Sequence, residues 1–439
     1  MTNHFQAAMA LMGLTFAWAV QAFANDELPA PPQAQAVVLR GGTIHPVVGP
    51  DVPGGELIFE HGKITAVGRD LPMPAGAKVI DVTGKHLYPG LIAAHTSLGL
   101  TEVQSVRGNT DSVEVGSINP NARAQFVVNA DSEFLPVARA NGVLTALVVP
   151  KTADGLISGV SSLLHLDGWT WESMTVRPEV GLHIFWPELR IDRDPRFPLS
   201  PADQQKEIDA RLRRLRETFD AAGAYRQAAE AGRPGRTDLR LAALLPVLRG
   251  ELPVFVHADT VRQIEDAVRW TAEAKLRLVL VGGQDAWRVA DLLKEHDVPV
   301  VVSPVDAIPL RRWEAYDTAY ANPAKLHAAG VRFCIANGGS DFDAAHERNL
   351  PYQAGQAAAH GLPREEALRA VTLYPAQILG VAERLGSLEV GKDATLIVTS
   401  GDPLEVTTQV EAAFIDGRPV DLSNRQTRLY EKYRQKYAP

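Results

Sequence analysis

The sequence predicts an α/β protein in which a (β/α)8 barrel of the TIM type lies beside a small β-sandwich built from both chain ends. Short apolar strands separated by glycine-containing turns fill residues 36–89, and the same pattern returns after residue 385. Between these ends, strands that are apolar throughout alternate with amphipathic helices, which is typical of a parallel sheet covered by helices. The number of strand–helix units in 439 residues favours a closed barrel over an open sheet.

The N-terminal segment has the features of a cleaved secretory signal. The apolar run AAMALMGLTFAWAV is followed by small residues at Ala22 and Ala24, and it is too short to span a bilayer comfortably. The preceding MTNHFQ lacks Lys and Arg, so a buried N-terminal helix is the alternative. We therefore expect a periplasmic or secreted protein without a membrane span after cleavage. The expected segments are the signal (1–24), the N-terminal part of the sandwich (25–89), the barrel (90–384), and the C-terminal part of the sandwich with its tail (385–439).

The composition narrows the class of protein and of partner. Hydrophobic residues make up 46% of the chain and charged residues 22%, which is ordinary for a globular protein with a large core. The net charge is −8 and no basic run stands out, so nothing suggests nucleic acid or an anionic membrane as partner. Cys334 is the only cysteine, so no intrachain disulfide can form, and its strand-like setting VRFCIA predicts a small buried apolar residue.

Two segments interrupt the regular alternation of strand and helix. Residues 200–232 read as a long charged helix with Leu212, Leu215 and Phe219 as its apolar stripe, which indicates an outer layer or, alternatively, a partner surface. Residues 101–131 lack periodicity and are rich in Asn, Ser and Gly. They are predicted to be a long loop after the first barrel strand, where loops often cover the substrate.

Two stretches carry a resemblance to a known family. VIDVTGKHLYPGLIAAHTSLG is similar to the entry into the barrel of the amidohydrolase superfamily, and RNLPYQAGQAAAHGLPREEALRAVTLYPAQILGVAERLGSLEVGKDATLIV resembles its C-terminal signature. The resemblance extends over nearly all of the mature chain and is strongest to the periplasmic branch related to imidazolonepropionase and prolidase-like amidohydrolases. It implies a metal-dependent barrel beside a β-sandwich, and hydrolysis of amide or other C–N bonds that are not ordinary peptide links.

The resemblance also implies where metal ligands belong. Members of the family use a His-x-His after strand one, a lysine after strand four, histidines after strands five and six, and an aspartate after strand eight. In this sequence those places are held, in chain order, by His95, Ser97, His183, His257, Gly282 and Gly338. Glycine supplies no ligand and serine a poor one, so a standard binuclear centre cannot be assembled from these positions.

A reduced site is the first interpretation of this pattern. His95, His183 and His257 would hold one divalent ion, most simply zinc, because three imidazoles plus water form a familiar catalytic set. A short gap in the alignment brings Asp341 into the role of the catalytic base, and Asp343 and His346 are the alternatives. The structural interpretation is that these histidines are hydrogen-bonded relics, with His183 packed in the aromatic run HIFW, and that the acidic loop residues cap a turn.

Two functions follow from these alternatives. The first is a hydrolase acting on non-peptide C–N bonds of small molecules with one bound metal ion. The second is a catalytically inactive barrel without metal, acting as a binding protein or as the partner of an active homologous amidohydrolase. A periplasmic solute-binding protein is disfavoured because the strands at both termini indicate one sandwich flanking one barrel.

Overall fold

The computed structural model describes residues 28–153, 155–194, 196, 198–232 and 235–437, in which sixteen strands form two eight-stranded sheets. The predicted signal segment 1–24 lies outside the described residues. The strands of the first sheet are β1 (Val37–Ile44), β2 (Val52–Glu60), β3 (Lys63–Gly68), β4 (Lys78–Asp81), β5 (His86–Pro89), β14 (Leu396–Thr399), β15 (Val410–Ile415) and β16 (Arg418–Pro419). The strands of the second sheet are β6 (Leu91–Thr96), β7 (Val143–Val148), β8 (Ile157–His165), β9 (Thr175–Phe185), β10 (Val254–Ala258), β11 (Leu278–Gly282), β12 (Val300–Val302) and β13 (Phe333–Ile335).

The first sheet joins the two ends of the chain. Its order is β16-β15-β14-β5-β1-β2-β3, with β4 beside β1. The junction is the antiparallel pair of β14 with β5, in which Leu396 faces Pro89 and Ile397 faces Tyr88. One apolar cluster buries side chains from both ends, including Phe59 and Phe414. The prediction that both chain ends build one β-domain is therefore confirmed.

The second sheet is the barrel, and its strands are neighbours in chain order from β6 to β13. The edge strands meet through the segment 370–371, since the Ile92 N–H donates to the Val371 carbonyl and the Ile335 N–H to the Ala370 carbonyl, both at 2.9 Å. The barrel is thus nearly closed, as predicted.

One strand corrects the prediction of a wholly parallel sheet. Strand β8 runs antiparallel to both of its neighbours, β7 and β9, whereas all other pairs in the barrel are parallel. The physical reason is the length of the connections. The links on either side of β8 contain eight and nine residues, and a parallel return needs a crossover of a dozen or more.

Twelve of the described helices lie between the first barrel strand and β14 in the chain, and one follows β16. They are α1 (Phe134–Arg139), α2 (Trp171–Met174), α3 (Pro201–Glu230), α4 (Leu239–Ala243), α5 (Leu245–Leu248), α6 (Val261–Glu273), α7 (Ala290–Glu295), α8 (Asn322–Ala329), α9 (Asp341–Ala344), α10 (Leu350–Ala359), α11 (Arg364–Arg369), α12 (Leu373–Ile378) and α13 (Arg425–Tyr437). Short 3-10 turns lie at Arg107–Asn109, Ala124–Val127, Ala286–Val289 and Glu347–Asn349. Within the described part of the chain, no helix combines the length and apolar character needed to cross a bilayer.

Helix α3 is the long outer helix that the sequence predicts. It begins at the Ser200 cap, whose hydroxyl accepts the Asp203 N–H at 3.2 Å, as expected of a serine at this position. Leu215 and Phe219 are buried, and the Phe219 ring packs edge-on to Trp270 of α6 with 5.0 Å between centroids. The charged residues between them face solvent, which explains the low apolar content of so long a helix.

Candidate active site at the barrel mouth

Three histidines converge inside the barrel near the C-terminal ends of its strands. His95 lies on β6, His183 on β9 and His257 on β10, so they come from the first, fourth and fifth barrel strands. The His257 ring centroid lies 5.1 Å from that of His95 and 5.2 Å from that of His183. Residues two apart on a strand share a face, so His257 points the same way as Phe255 on β10. Phe255 pairs with His183 across β9 and β10 and their rings stack, so the two histidines lie on the same face of the sheet. The structure therefore brings together the three histidines that the sequence singled out.

Hydrogen bonds determine the tautomer of His95. The Ser303 hydroxyl donates its one hydrogen to the Asn337 carbonyl at 2.5 Å, so toward His95 it can only accept. His95 Nδ1, at 3.0 Å from that hydroxyl oxygen, must therefore carry the proton. Its Nε2 is left with a free lone pair beside the backbone of Gly339, where an added Cβ would lie only 2.2 Å away. An imidazole held through Nδ1–H with Nε2 free is the usual arrangement of a metal-ligating histidine.

His183 and His257 are bonded to each other. His183 Nδ1 and His257 Nε2 lie 2.9 Å apart, so one nitrogen donates and the other accepts. His257 also stacks on Phe185 with a centroid distance of 4.0 Å and an interplanar angle of 8°. The His183 Nε2 atom is buried without a hydrogen-bond partner among the described residues. A bare lone pair at that position is less unfavourable than an unpaired N–H, which favours His183 as the donor.

All three imidazoles are neutral near pH 7. Burial, with a smaller contribution from the Lys151 ammonium, lowers the pKa of His95 to about 4. Burial and the neighbouring imidazoles lower the pKa of His183 and His257 well below the ordinary value. Neutral imidazole is the form that coordinates metal ions, so the protonation state suits ligation.

Two glycines make room for carboxylates. At Gly282, where φ is +93°, an added Cβ would lie 2.5 Å from Asp259 Oδ1. At Gly338 an added Cβ would lie 2.1 Å from Asp343 Oδ2. These are the two positions at which the family resemblance leads one to expect a histidine and an aspartate. The space beside each missing ligand is thus occupied by a carboxylate from elsewhere in the chain.

Asp341, the base predicted from the sequence, has a cationic partner. Its Oδ1 accepts hydrogen bonds from Lys151 Nζ at 2.6 Å and from the Thr101 hydroxyl at 2.9 Å. Burial alone would raise its pKa, but the Lys151 ammonium and these hydrogen bonds hold it below the usual value. The contacts join the loop after strand one, which includes the predicted substrate-covering segment 101–131, to the loops after strands two and eight. The base role of Asp341 stays a prediction.

The other loop residues named from the sequence serve the backbone around them. Ser97 is fully buried and donates to the Ser340 carbonyl at 3.1 Å. Asp343 accepts the Ser340 N–H at 2.9 Å and completes the cap of α9. His346 Nδ1 lies 2.9 Å from the Phe342 carbonyl oxygen.

Sequence reasoning missed four residues of this region. Asp259 lies two residues after His257, and strand alternation could have placed it on the same face. Its pKa is raised to about 6, mainly by burial. Lys151 and Ser303 act through contacts that carry no local signal. Glu347 is fully buried, and burial together with the Asp343 charge raises its pKa to about 8 against an opposing hydrogen-bond contribution from Thr96.

A structural or catalytic metal ion needs three or more donor atoms around one point. Within the described ranges, no group of three or more His, Cys, Asp or Glu side chains is spaced to hold an ion as it stands. Zn–N bonds of 2.0–2.1 Å in a tetrahedron put ligand nitrogens about 3.3 Å apart, so the His183–His257 pair would have to open by roughly 0.4 Å. The residue types and neutral charge of the three histidines fit one ion, as does the tautomer of His95, but the His183–His257 hydrogen bond would have to break first. A second ion does not fit, because Gly282 and Gly338 bring no side chain.

Comparisons with known proteins agree with this architecture. The model of the amidohydrolase family matches residues 87–420. The chain is 26% identical over 419 residues to "Amidohydrolase tasK" of Hapsidospora irregularis, covering 85% of this chain but only 41% of that longer protein. It is 26% identical over 379 residues to an imidazolonepropionase of Symbiobacterium thermophilum, covering 80% of this chain and 84% of that protein.

A solved structure agrees in both fold and sequence. The crystal structure of an amidohydrolase from Thermotoga maritima MSB8 is 28% identical, with a TM-score of 0.77 over 88% of this chain and 99% of that one. The similarity includes both the barrel and the β-domain, since it extends over nearly all described residues. Because the family model also covers most of the sequence, this chain belongs to the amidohydrolase family.

Proposed function

We propose that the protein hydrolyses non-peptide C–N bonds of small molecules with one divalent metal ion held by His95, His183 and His257. The observation that carries the proposal is the convergence of three neutral imidazoles from three barrel strands. His95 in particular has its Nδ1–H bonded to Ser303 and its Nε2 free. When bound, a divalent ion supplies Lewis acidity toward the scissile carbonyl group.

Asp343 is the residue that we propose as the base. It occupies the space beside Gly338, where the family places its aspartate, and it lies close enough to His95 for its negative charge to raise the pKa of that imidazole. Asp341, the base expected from the sequence, pairs directly with the Lys151 ammonium, whereas the Asp343 carboxylate accepts hydrogen bonds from the neutral Ser340 N–H and hydroxyl. A carboxylate without a cationic partner accepts a proton from an attacking water more readily than one in an ion pair.

The substrate class follows from the family and the proposed location of the protein. Relatives with about 25% sequence identity include imidazolonepropionases. N-acyl compounds and cyclic amides are therefore the substrates to screen first. Loops at this face of a barrel determine specificity, and residues 101–131 would cover the bound molecule. We also propose that the mature protein acts in the periplasm or outside the cell, because of the signal-like segment 1–24.

The deciding experiment measures metal per chain and hydrolysis in the same preparations. Protein purified without chelator is equilibrated with zinc and dialysed, as wild type, as His257→Ala, and as the control His61→Ala on the exposed edge of the β-domain. We expect about one zinc per chain in the wild type and the control. His257→Ala should lose the zinc and at least a hundredfold in kcat/KM, while circular dichroism shows it folded. Asp343→Asn should keep the metal and lose turnover. A wild type without zinc above background contradicts the proposal.

A second function, a barrel without catalysis, is favoured by one set of contacts. The His183–His257 hydrogen bond uses two of the three candidate ligand nitrogens, and Lys151 neutralises Asp341. Such a protein would bind a small molecule or pair with an active homologue. Wild type without zinc that co-purifies with a metal-binding homologue would favour this function.

A further inference from the structure

Helix α13 lies on the surface of the described part of the chain. None of its residues is buried. Its first turn is attached through Asn424, whose Oδ1 accepts two backbone N–H groups at 2.9 and 3.1 Å, and through Arg428, which lies 3.6 Å from Glu133. From Leu429 onward the apolar side chains of the helix are exposed among the described residues.

The apolar side chains of α13 form a single stripe. Its members are Leu429, Tyr430, Tyr433 and Tyr437. At about 100° per residue they fall within an arc about 100° wide, which is the width of an amphipathic face. The exposed fraction is 41% at Leu429, 69% at Tyr430, 49% at Tyr433 and 72% at Tyr437. Every member of the stripe is therefore substantially exposed among the described residues.

Cations border this stripe on both sides. The helix contains Arg425, Arg428, Lys432, Arg434 and Lys436 against one acid, Glu431, so its net charge is +4. The whole chain has a net charge of −8, so the rest of the protein carries −12. By helical period Lys432 and Lys436 line one edge of the stripe, and Arg434, which is paired with Glu431 at 2.8 Å, lines the other. Lys436 Nζ lies 5.0 Å from the Tyr437 ring.

We propose that α13 binds an anionic phospholipid surface, lying in the plane of the membrane with its tyrosine stripe at the headgroup boundary. Tyrosine rings are favoured at this depth because one end is apolar and the other polar. Flanking Lys and Arg side chains reach the phosphates while their stems cover apolar surface. Five cations against one acid in thirteen residues give the helix a net charge of +4, which complements the negative surface of an anionic membrane.

The source of the affinity follows from the composition of the stripe. One leucine and three tyrosines bury little area, so the charges supply most of the attraction. Binding should therefore depend on anionic lipid and weaken steeply with salt, because the Debye length falls to about 4 Å near 0.5 M. The negative charge of the whole chain conceals this local basic surface, which is why composition alone suggested no anionic membrane. The inference does not depend on the proposed hydrolase activity.

The test is co-sedimentation of the full chain with vesicles of phosphatidylcholine alone or with 30% phosphatidylglycerol, at low and high salt. The test variant Lys432→Gln/Arg434→Gln/Lys436→Gln removes three charges from α13. The matched control Arg213→Gln/Arg214→Gln/Arg216→Gln removes three from exposed positions of α3. The apolar run near the N-terminus is common to all three proteins, so differences between them report α13.

We expect the wild type and the α3 control to bind phosphatidylglycerol vesicles, and the α13 variant to bind at least tenfold more weakly. Binding by the first two should disappear near 0.5 M salt. Two results would overturn the proposal. One is equal sedimentation of all three proteins with both vesicle types. The other is a change of oligomeric state in the α13 variant without any lipid dependence, which would make α13 a contact between copies of the chain.

Discussion

Gly339→Ala tests the geometry of His95 without removing any functional group. An added methyl at residue 339 would lie 2.2 Å from both Cε1 and Nε2 of His95, whereas ordinary contact begins near 3.4 Å. The ring must therefore move by about 1.2 Å, which would break its 3.0 Å contact with the Ser303 hydroxyl. A lost hydrogen bond contributes about 1 kcal/mol and overpacking about 1–3 kcal/mol, so we expect the free energy of unfolding to fall by about 2–4 kcal/mol.

Gly108→Ala is the matched control, because an added Cβ there meets no atom within 4 Å. Urea unfolding of the two variants measures the stability difference, and zinc titration measures the affinity. Displacing a ligand or its supporting contact typically weakens metal binding by tenfold to a hundredfold, and we expect a loss in this range for Gly339→Ala alone. Stability of the two variants within 0.5 kcal/mol of each other, together with equal zinc affinity, would refute the assignment of this space to His95.

Two further predictions concern charges near the site. In a double-mutant cycle of Lys151→Met and Asp341→Asn, the coupling energy should be about 1–2 kcal/mol, because both side chains are more than four-fifths buried. The exposed pair Lys206–Asp203 should couple by less than 0.5 kcal/mol. Because the folded pKa of Asp341 is lowered, its coupling is complete above the pKa of an unfolded aspartate and should fade as the solution is acidified through the folded value. Equal coupling in the two pairs would contradict this account. Glu347 has a folded pKa of about 8, raised from 4.5, so the folded state keeps a proton that the unfolded state loses. Unfolding free energy should therefore fall between pH 4.5 and 8 by up to about 1.4 kcal/mol per pH unit, and Glu347→Gln should remove that slope; an unchanged slope would mean that this carboxyl is not the source.

Much of the architecture could be predicted from the sequence because it depends on local periodicity. The apolar runs identified strands such as β10 and β11, and the turn-rich ends identified one shared β-domain. His95, His183 and His257 were named because the resemblance to the amidohydrolase family marks these strand ends as ligand positions, and the barrel brings such ends together. Strand β8 was missed, since ISGVSSLLH mixes glycine and serine into its apolar pattern. Its direction was decided by the short links on either side.

Other features were decided only by the tertiary structure. Lys151 and Asp341 are 190 residues apart, and their pairing depends on which loops meet above the closed barrel. The space beside Gly282 goes to Asp259 because two neighbouring strands end side by side, a relation that no spacing along the chain expresses. The tautomer of His95 depends on Ser303, from another strand end. Residue types and periods are local and can be read from sequence, but contacts among strand ends arise from barrel closure and appear only in three dimensions.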